Sequence, residues 1–234
     1  CYGILLSNKS QLQATGSGNI SLTGIGGSGS GSSNYGIIVS DTGTIITSQN
    51  GNISISGQGG GVAGSESSNS GVAILSGSQV NCNGNGSINI YGTSRTGTTN
   101  SNSGVIISNQ GTTISTTSGD IQITGKALSA SGSSNSGLFV GDLAQVITSG
   151  GNIVISGEGG SSGGKGDFNL GVFICIGARI ATGGEGLVSI TGKGGSSFGN
   201  SNYGVSVENG SPTNNTTATV TSSGGPVTVH GTGG

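Results

Sequence analysis

Short apolar runs recur along this chain at regular intervals, each bounded by Gly, Asn and Ser. A triplet such as "IIV", "VII" or "LFV" opens a unit and a weaker apolar site stands near its middle. A "[IV]-x-[ILV]-[STYH]-G" segment then closes it ahead of a Gly/Ser tail. Within the runs apolar and polar residues alternate, the pattern of short half-buried strands. The starts "N-x-G-[VIL]" fall at Asn34, Asn69, Asn102, Asn135, Asn169 and Asn202, with Cys1 standing where a first Asn would be. The blocks so defined are 1–33, 34–68, 69–101, 102–134, 135–168, 169–201 and 202–234. They take up the whole chain and predict a single domain.

A period near 34 also suits helix-pair repeats, but those need Ala, Leu, Glu and Lys at 3.6-residue spacing. Three short strands per block instead predict one coil of a right-handed parallel β-helix, each strand pairing with its counterpart in the next block. At a strand spacing of about 4.8 Å, seven coils make a rod segment of roughly 34 Å. The first strand is predicted to point pairs such as Val105 and Ile107 inward, and the last strand pairs such as Ile121 and Ile123. The middle strand is expected to contribute Leu12, Ile45, Val80, Ile114, Val146, Ile180 and Val220. The seventh block carries an insertion around "SPTNNT".

Composition changes the picture only because of this period. With 53 Gly among 234 residues and 6% charged residues, an aperiodic chain would be read as disordered. One column of glycines runs from Gly3 through Gly36, Gly71, Gly104, Gly137 and Gly171 to Gly204, and a second from Gly24 to Gly231. A Gly held in every coil marks a corner of positive φ or close backbone approach. The six block-opening Asn residues, Asn34 to Asn202, are expected to form a ladder in which each amide donates to one neighbour and accepts from the other. The competing reading is that Asn merely favours turns.

Candidate chemistry is sparse. The acids are Asp41, Asp120, Asp142, Asp167, Glu66, Glu158, Glu185 and Glu208. No two of them align on adjacent coils as a glycosidase or lyase would require. His230 has no acid beside it. "GGKGDF" lacks the Ser or Thr of a phosphate loop, and the calcium-solenoid pattern "G-G-x-G-x-D" is missing. Cys1, Cys82 and Cys175 have no metal-ligand spacing, and their odd number defines no disulfide framework. They are expected as small core or surface residues, or as a site for an intermolecular bond. Net charge −2 and a pI near 5.1 give no basic footprint for nucleic acid. Neither an enzyme nor a cofactor is expected. The sequons at Asn8, Asn19, Asn52, Asn85, Asn214 and Asn215 are those that chance supplies in so Asn- and Ser-rich a chain.

Three surface features align across coils. Lys126, Glu158 and Lys193 each follow the Gly that ends a last strand, predicting a plus, minus, plus ladder. The outward residues of the last strand are mostly Ser, Thr and Gln, interrupted by Asn89, Tyr91 and Val154, and a flat polar array of this kind suits glycan or ice. The middle residue of the first strand reads Leu5, Ile38, Ala73, Ile106, Phe139, Phe173 and Ser206, an apolar stripe on a face that should meet water. Contiguous exposed apolar surface marks an interaction site, so the stripe from Leu5 to Phe173 is a candidate lateral interface.

The repeat "NYGIIVS…TIITSQNGNISISGQGGG" resembles the haemagglutinin-type β-strand repeats of filamentous haemagglutinins and autotransporter passenger regions, across the whole chain. That resemblance implies export, a right-handed β-helix and a role in adhesion, biofilm or surface-fibre formation. The expectation is therefore a structural segment of a bacterial extracellular fibre or adhesin at the cell surface. Its partners would be copies of itself or neighbouring repeats of the same fibre, without membrane insertion. The alternative is a glycan- or ice-binding module using the polar face, with surface glycans as partners. With no start Met or signal peptide, and with both ends on repeat boundaries, the chain is expected to be a window on a longer or polymerised fibre.

Overall fold

A computed structural model describes residues 1–61, 67–95, 100–128, 132–160, 164–209 and 216–234. Most of the "SPTNNT" insertion, the sequons at Asn214 and Asn215, and Glu66 lie outside these residues. The described chain is all β, in three parallel seven-stranded sheets. Each coil contributes one strand to each sheet. In the fourth coil these are Val105–Ser108, Thr113–Thr116 and Ile121–Lys126. The first sheet runs from Ile4–Leu6 to Val205–Glu208, the second from Gln11–Ala14 to Thr219–Ser222, and the third from Ile20–Ile25 to Val227–Thr232.

Register follows the apolar pattern, because a one-residue slip would turn every Ile and Val outward. Ile121 is paired with Ile88 on one side and Ile153 on the other, and Val105 with Val72 and Leu138. Like therefore stacks on like in a single aliphatic core, in which Ile37, Ile74, Ile107, Ile123 and Ile153 are wholly enclosed. The columns open at the last coil, where Val227 and Val229 are 45% and 50% exposed.

The middle strand departs from expectation at one place. Ile46, wholly buried and in register with Leu12 and Val80, faces the core, while Ile45 does not. The cause is the preceding turn. In coils 1, 3, 5 and 6 a tight turn closes directly after the first strand. Two successive residues take positive φ: Asn8 and Lys9, Ser76 and Gly77, Asp142 and Leu143, Ile176 and Gly177. These are the φ signs of a type I′ turn. Coils 2 and 4 insert Ser40 or Ser108 first and then use Asp41–Thr44 or Asn109–Thr112, with Gly43 or Gly111 at positive φ. The added residue moves the inward site from Ile45 to Ile46.

Leu143 and Ile176 are poor choices for these turns, since the left-handed region costs a non-Gly residue about 1–2 kcal/mol. Other coils place Gly77 and Gly177 where Leu143 stands, and Asn8 and Ser76 where Ile176 stands. Leu143→Gly and Ile176→Asn are each expected to raise the melting temperature by roughly 2–4 °C, the equivalent of about 1 kcal/mol in a chain of this size. Unchanged or lower melts would mean that side-chain packing outweighs the strain.

The two glycine columns meet at the corner between the third and first strands. A Cβ on Gly125 would collide with the Gly137 carbonyl, and one on Gly104 with the backbone of Gly125 and Lys126. None of the residues in these columns has positive φ. Close backbone approach, and not conformational freedom, is what requires Gly here.

Candidate functional site and interaction surfaces

The six block-opening Asn residues are all buried. The side-chain Oδ1 of each accepts from the backbone N–H of the Asn one coil earlier. Asn34 N–H donates to Asn69, Asn69 to Asn102, Asn102 to Asn135, Asn135 to Asn169 and Asn169 to Asn202, all at 2.9–3.0 Å. The N-terminal ammonium of Cys1 occupies the first rung, 3.2 Å from Asn34 Oδ1. The side-chain NH₂ groups do not form the uniform chain expected of them. Asn34 and Asn102 donate to the next Asn side chain, whereas Asn169 and Asn202 donate to the carbonyls of Gly166 and Gly199 in their own loops. The ladder is thus carried from side chain to main chain. Its loops need a left-handed residue just before each Asn, supplied by Ser33, Ser68, Ser101, Ser134, Phe168 and Ser201.

A second ladder was not anticipated from sequence. Ahead of the third strand, the side chains of Asn19, Asn52, Ser87, Asp120 and Asn152 each accept from the backbone N–H one coil later, at 2.8–3.1 Å. Its polarity is opposite to that of the first. The visible signal is the polar residue in "G-N-I", "G-S-I" and "G-D-I", which reads as a turn residue unless its column is followed. A third set links the turns. Asn8 and Lys9 N–H donate to Asp41 and Thr44 of the next coil, and Ser76 and Gly77 N–H to Asn109 and Thr112.

The four Asp residues are therefore engaged in holding coils together. Asp41, Asp120 and Asp167 accept the backbone N–H groups of Asn8, Asn152 and Asn200, and Asp142 accepts from the Ser108 hydroxyl. Among the described residues no three His, Cys, Asp or Glu side chains converge on a possible metal position. Cys82 takes the column that holds Ser48, Thr116, Thr148 and Thr182, its thiol directed at the Gly51 and Ser87 carbonyls as the Thr116 and Thr182 hydroxyls are directed at Gly119 and Gly186 of their own loops and those of Ser48 and Thr148 at Gly18 and Gly119 of the coil before. Burial pushes the Cys82 thiol up to about 11. The Cys175 thiol rises to about 12 through burial, reinforced by Asp142 and Glu208. All three cysteines are free thiols, with Cys1 alone exposed.

The charged ladder forms on the third sheet, with Lys126 Nζ 2.8 Å and Lys193 Nζ 3.6 Å from the two oxygens of Glu158. The hydrogen bond from Lys126 lowers the Glu158 pKa, burial opposes it as the next largest influence, and the charges of Lys126 and Lys193 add to the lowering. A depressed carboxyl stabilises the fold above its unfolded-state value and ceases to as pH falls through its folded value. Glu158→Gln is expected to flatten the acid limb of the stability profile below about pH 4.3, the ordinary Glu value, and to cost under about 1 kcal/mol at neutral pH because the pair is exposed. Melts from pH 2 to pH 7 check this, and an unchanged acid limb would exclude the ladder as a contributor.

The apolar stripe on the first sheet is not continuous. Leu5 is 51% exposed on the end coil, but Ile38 is only 9% exposed and Ala73 wholly buried. Ala73 is paired between the taller Ile38 and Ile106, which overtop it. Leu5, Ile38 and Ala73 therefore cannot join the others in one lateral contact. What remains accessible is a groove of about 460 Å³ whose floor is Ile106, Phe139 and Phe173 and whose wall is Ser101, Ser134 and Phe168. Phe139 and Phe173 pack edge to face, with centroids 5.6 Å apart. Gly141 makes room for the Phe139 ring, which a Cβ there would strike. On the third sheet the polar residues Asn52, Ser54, Asn89, Asp120 and Gln122 line a groove of about 400 Å³, beside exposed Tyr91 and Val154.

In comparisons with known proteins, no family model, no curated protein and no solved structure matches this chain.

Proposed function

We propose that this chain is a structural β-solenoid segment of a bacterial extracellular fibre or adhesin, lengthened by the addition of coils at its ends. The observation that carries this reading is the repetition of the coil edges. Successive coils present the same aliphatic columns and the same strand edges, so each is a surface on which another coil of the same pattern can stack. An unpaired parallel edge with an apolar interior beside it is a template for another strand. A further coil of the same pattern, in the same chain or in a second copy, would cover it. The engagement of the Asp residues in inter-coil hydrogen bonds favours a structural role over catalysis, and the resemblance of the repeat to haemagglutinin-type sequences favours a cell-surface setting.

Negative-stain microscopy and sedimentation of residues 1–234 test the reading. Rods that lengthen with concentration in steps of roughly 34 Å are expected, and Val227→Lys with Val229→Lys should stop the lengthening. Rods of a single length at all concentrations would count against end-on addition. A second reading, a glycan-binding module, is favoured by the polar groove around Asn89 and Gln122. A glycan array with Gln122→Ala and Asn89→Ala as controls decides it, since binding that ignores both substitutions would remove that face from consideration.

A further inference from the structure

The groove over Ile106, Phe139 and Phe173 has the size of a site for one large apolar group, and the same chain exposes such a group. Phe198 is 86% exposed, far more than any other large hydrophobic residue among those described. It lies three residues before Ser201, which continues the row of left-handed residues forming the groove wall. Its loop is anchored, with Phe198 N–H donating to the Gly164 carbonyl at 2.8 Å and the Asn200 carbonyl accepting from Phe168 N–H at 3.0 Å. The knob is therefore held on the surface at a defined place on the coil that also supplies Phe173.

Charge distinguishes the two features. The groove has Glu208 on its lining, while exposed Lys165 neighbours the Gly164 carbonyl that holds the knob. Asp167, on the same loop, is occupied by the Asn200 N–H. The described ion pairs involve neither Glu208 nor Lys165. An acid beside the cavity and a cation beside the insert form a complementary pair only when they belong to different molecules, because Phe198 does not fill the groove of its own chain.

We propose that a second copy of this chain docks laterally, seating Phe198 in the groove over Ile106, Phe139 and Phe173 while its Lys165 meets Glu208. The occupant is another copy because knob, groove and both charges are present on every copy. Groove and knob lie within neighbouring coils, so a two-fold arrangement seats both knobs at once. Each contact is small, and a fibre that repeats it gains through multiplicity. This inference extends the structural-segment reading by adding a sideways contact, and it is tested where end-on addition is blocked.

The test uses residues 1–234 carrying Val227→Lys, Val229→Lys and Cys1→Ser. One variant adds Phe198→Cys and the other Ile106→Cys, and the two are mixed with a short bismaleimide. A mixed cross-linked dimer is expected, well above that formed when Cys replaces Ser21 on the polar face. By sedimentation equilibrium, Glu208→Lys should raise the dissociation constant of the otherwise unmodified pair at least tenfold, and adding Lys165→Glu to the same chain should restore it. A cross-link no greater than the Ser21→Cys control, or a double charge reversal no tighter than the single one, would overturn the proposal. Either result would leave end-on addition standing, since that is measured separately on the parent chain.

Discussion

Gly125→Ala is expected to lower the melting temperature by roughly 6–12 °C, while Gly31→Ala leaves it unchanged or slightly raised. The two substitutions add the same methyl group in opposite surroundings. At Gly125 the new Cβ would meet the carbonyl and carbon of Gly137 and the nitrogen of Leu138, all main-chain atoms of the first sheet. A main chain paired on both sides cannot withdraw without breaking its ladder, so the loss is expected at or above the upper end of the about 1–3 kcal/mol usual for overpacking. In a chain of this length that corresponds to the stated fall, at about 2–4 °C per kcal/mol. A Cβ added at Gly31 would meet nothing within 4 Å, and the lost backbone freedom of the unfolded chain favours Ala by about 0.4–1 kcal/mol. Gly104→Ala should behave like Gly125→Ala. Equal melts for Gly125→Ala and Gly31→Ala would show that the corner is looser than its glycines imply.

The second large effect comes from the polarity of the Asn ladder. Asn102→Ala, Asn135→Ala and Asn202→Ala are each expected to cost about 1–3 kcal/mol, because each leaves a buried main-chain N–H of the preceding coil without its acceptor. Those donors belong to Asn69, Asn102 and Asn169. Position along the rod does not spare Asn202, since its Oδ1 serves the coil before it. Asn34 is the exception. Its Oδ1 accepts from the Cys1 ammonium at 3.2 Å and, among the described bonds, from no buried main-chain N–H, so Asn34→Ala forfeits chiefly the bonds of its NH₂ to Gly31, Gly29 and Asn69. Thermal melts of the four variants should group Asn202 with the interior pair and set Asn34 apart as the mildest. If Asn202→Ala is the mild one instead, the direction of the ladder is wrong, and if all four agree, Asn acts as a local turn former.

Much of the fold is legible in this sequence because a coil that stacks on its own kind repeats its constraints. Ile121 and Ile123 recur as Ile88 and Ile90 or Ile153 and Ile155, and that recurrence states strand, face and register together. The glycine columns were visible for the same reason, although only the structure separates close approach from positive φ. Ile45 was misassigned because two adjacent Ile residues offer either phase, and the choice rests on whether Ser40 precedes the turn. The second ladder went unseen because its column mixes Asn, Ser and Asp, which share an acceptor oxygen but not a letter. The lateral stripe was overstated because outward direction is not exposure: Ala73 points away from the core yet lies in the shadow of Ile38 and Ile106. Phe198, outside every strand, carried no periodic signal, and its partner groove exists only where Phe139, Phe173 and Phe168 are brought side by side.

Native-state hydrogen exchange, read residue by residue, tests the central claim that each coil is held by its neighbours through strand ladders and side-chain acceptors. In a stack of this kind protection should be greatest in the central coils and decline toward both ends. The backbone amides of Asn69, Asn102 and Asn135, though outside the strands, should exchange as slowly as those of Ile90 and Ile123. The amide of Asn202, in the last coil, should exchange markedly faster. Uniform protection across all coils, or ladder amides that exchange as fast as exposed turn residues such as Thr42, would contradict the account.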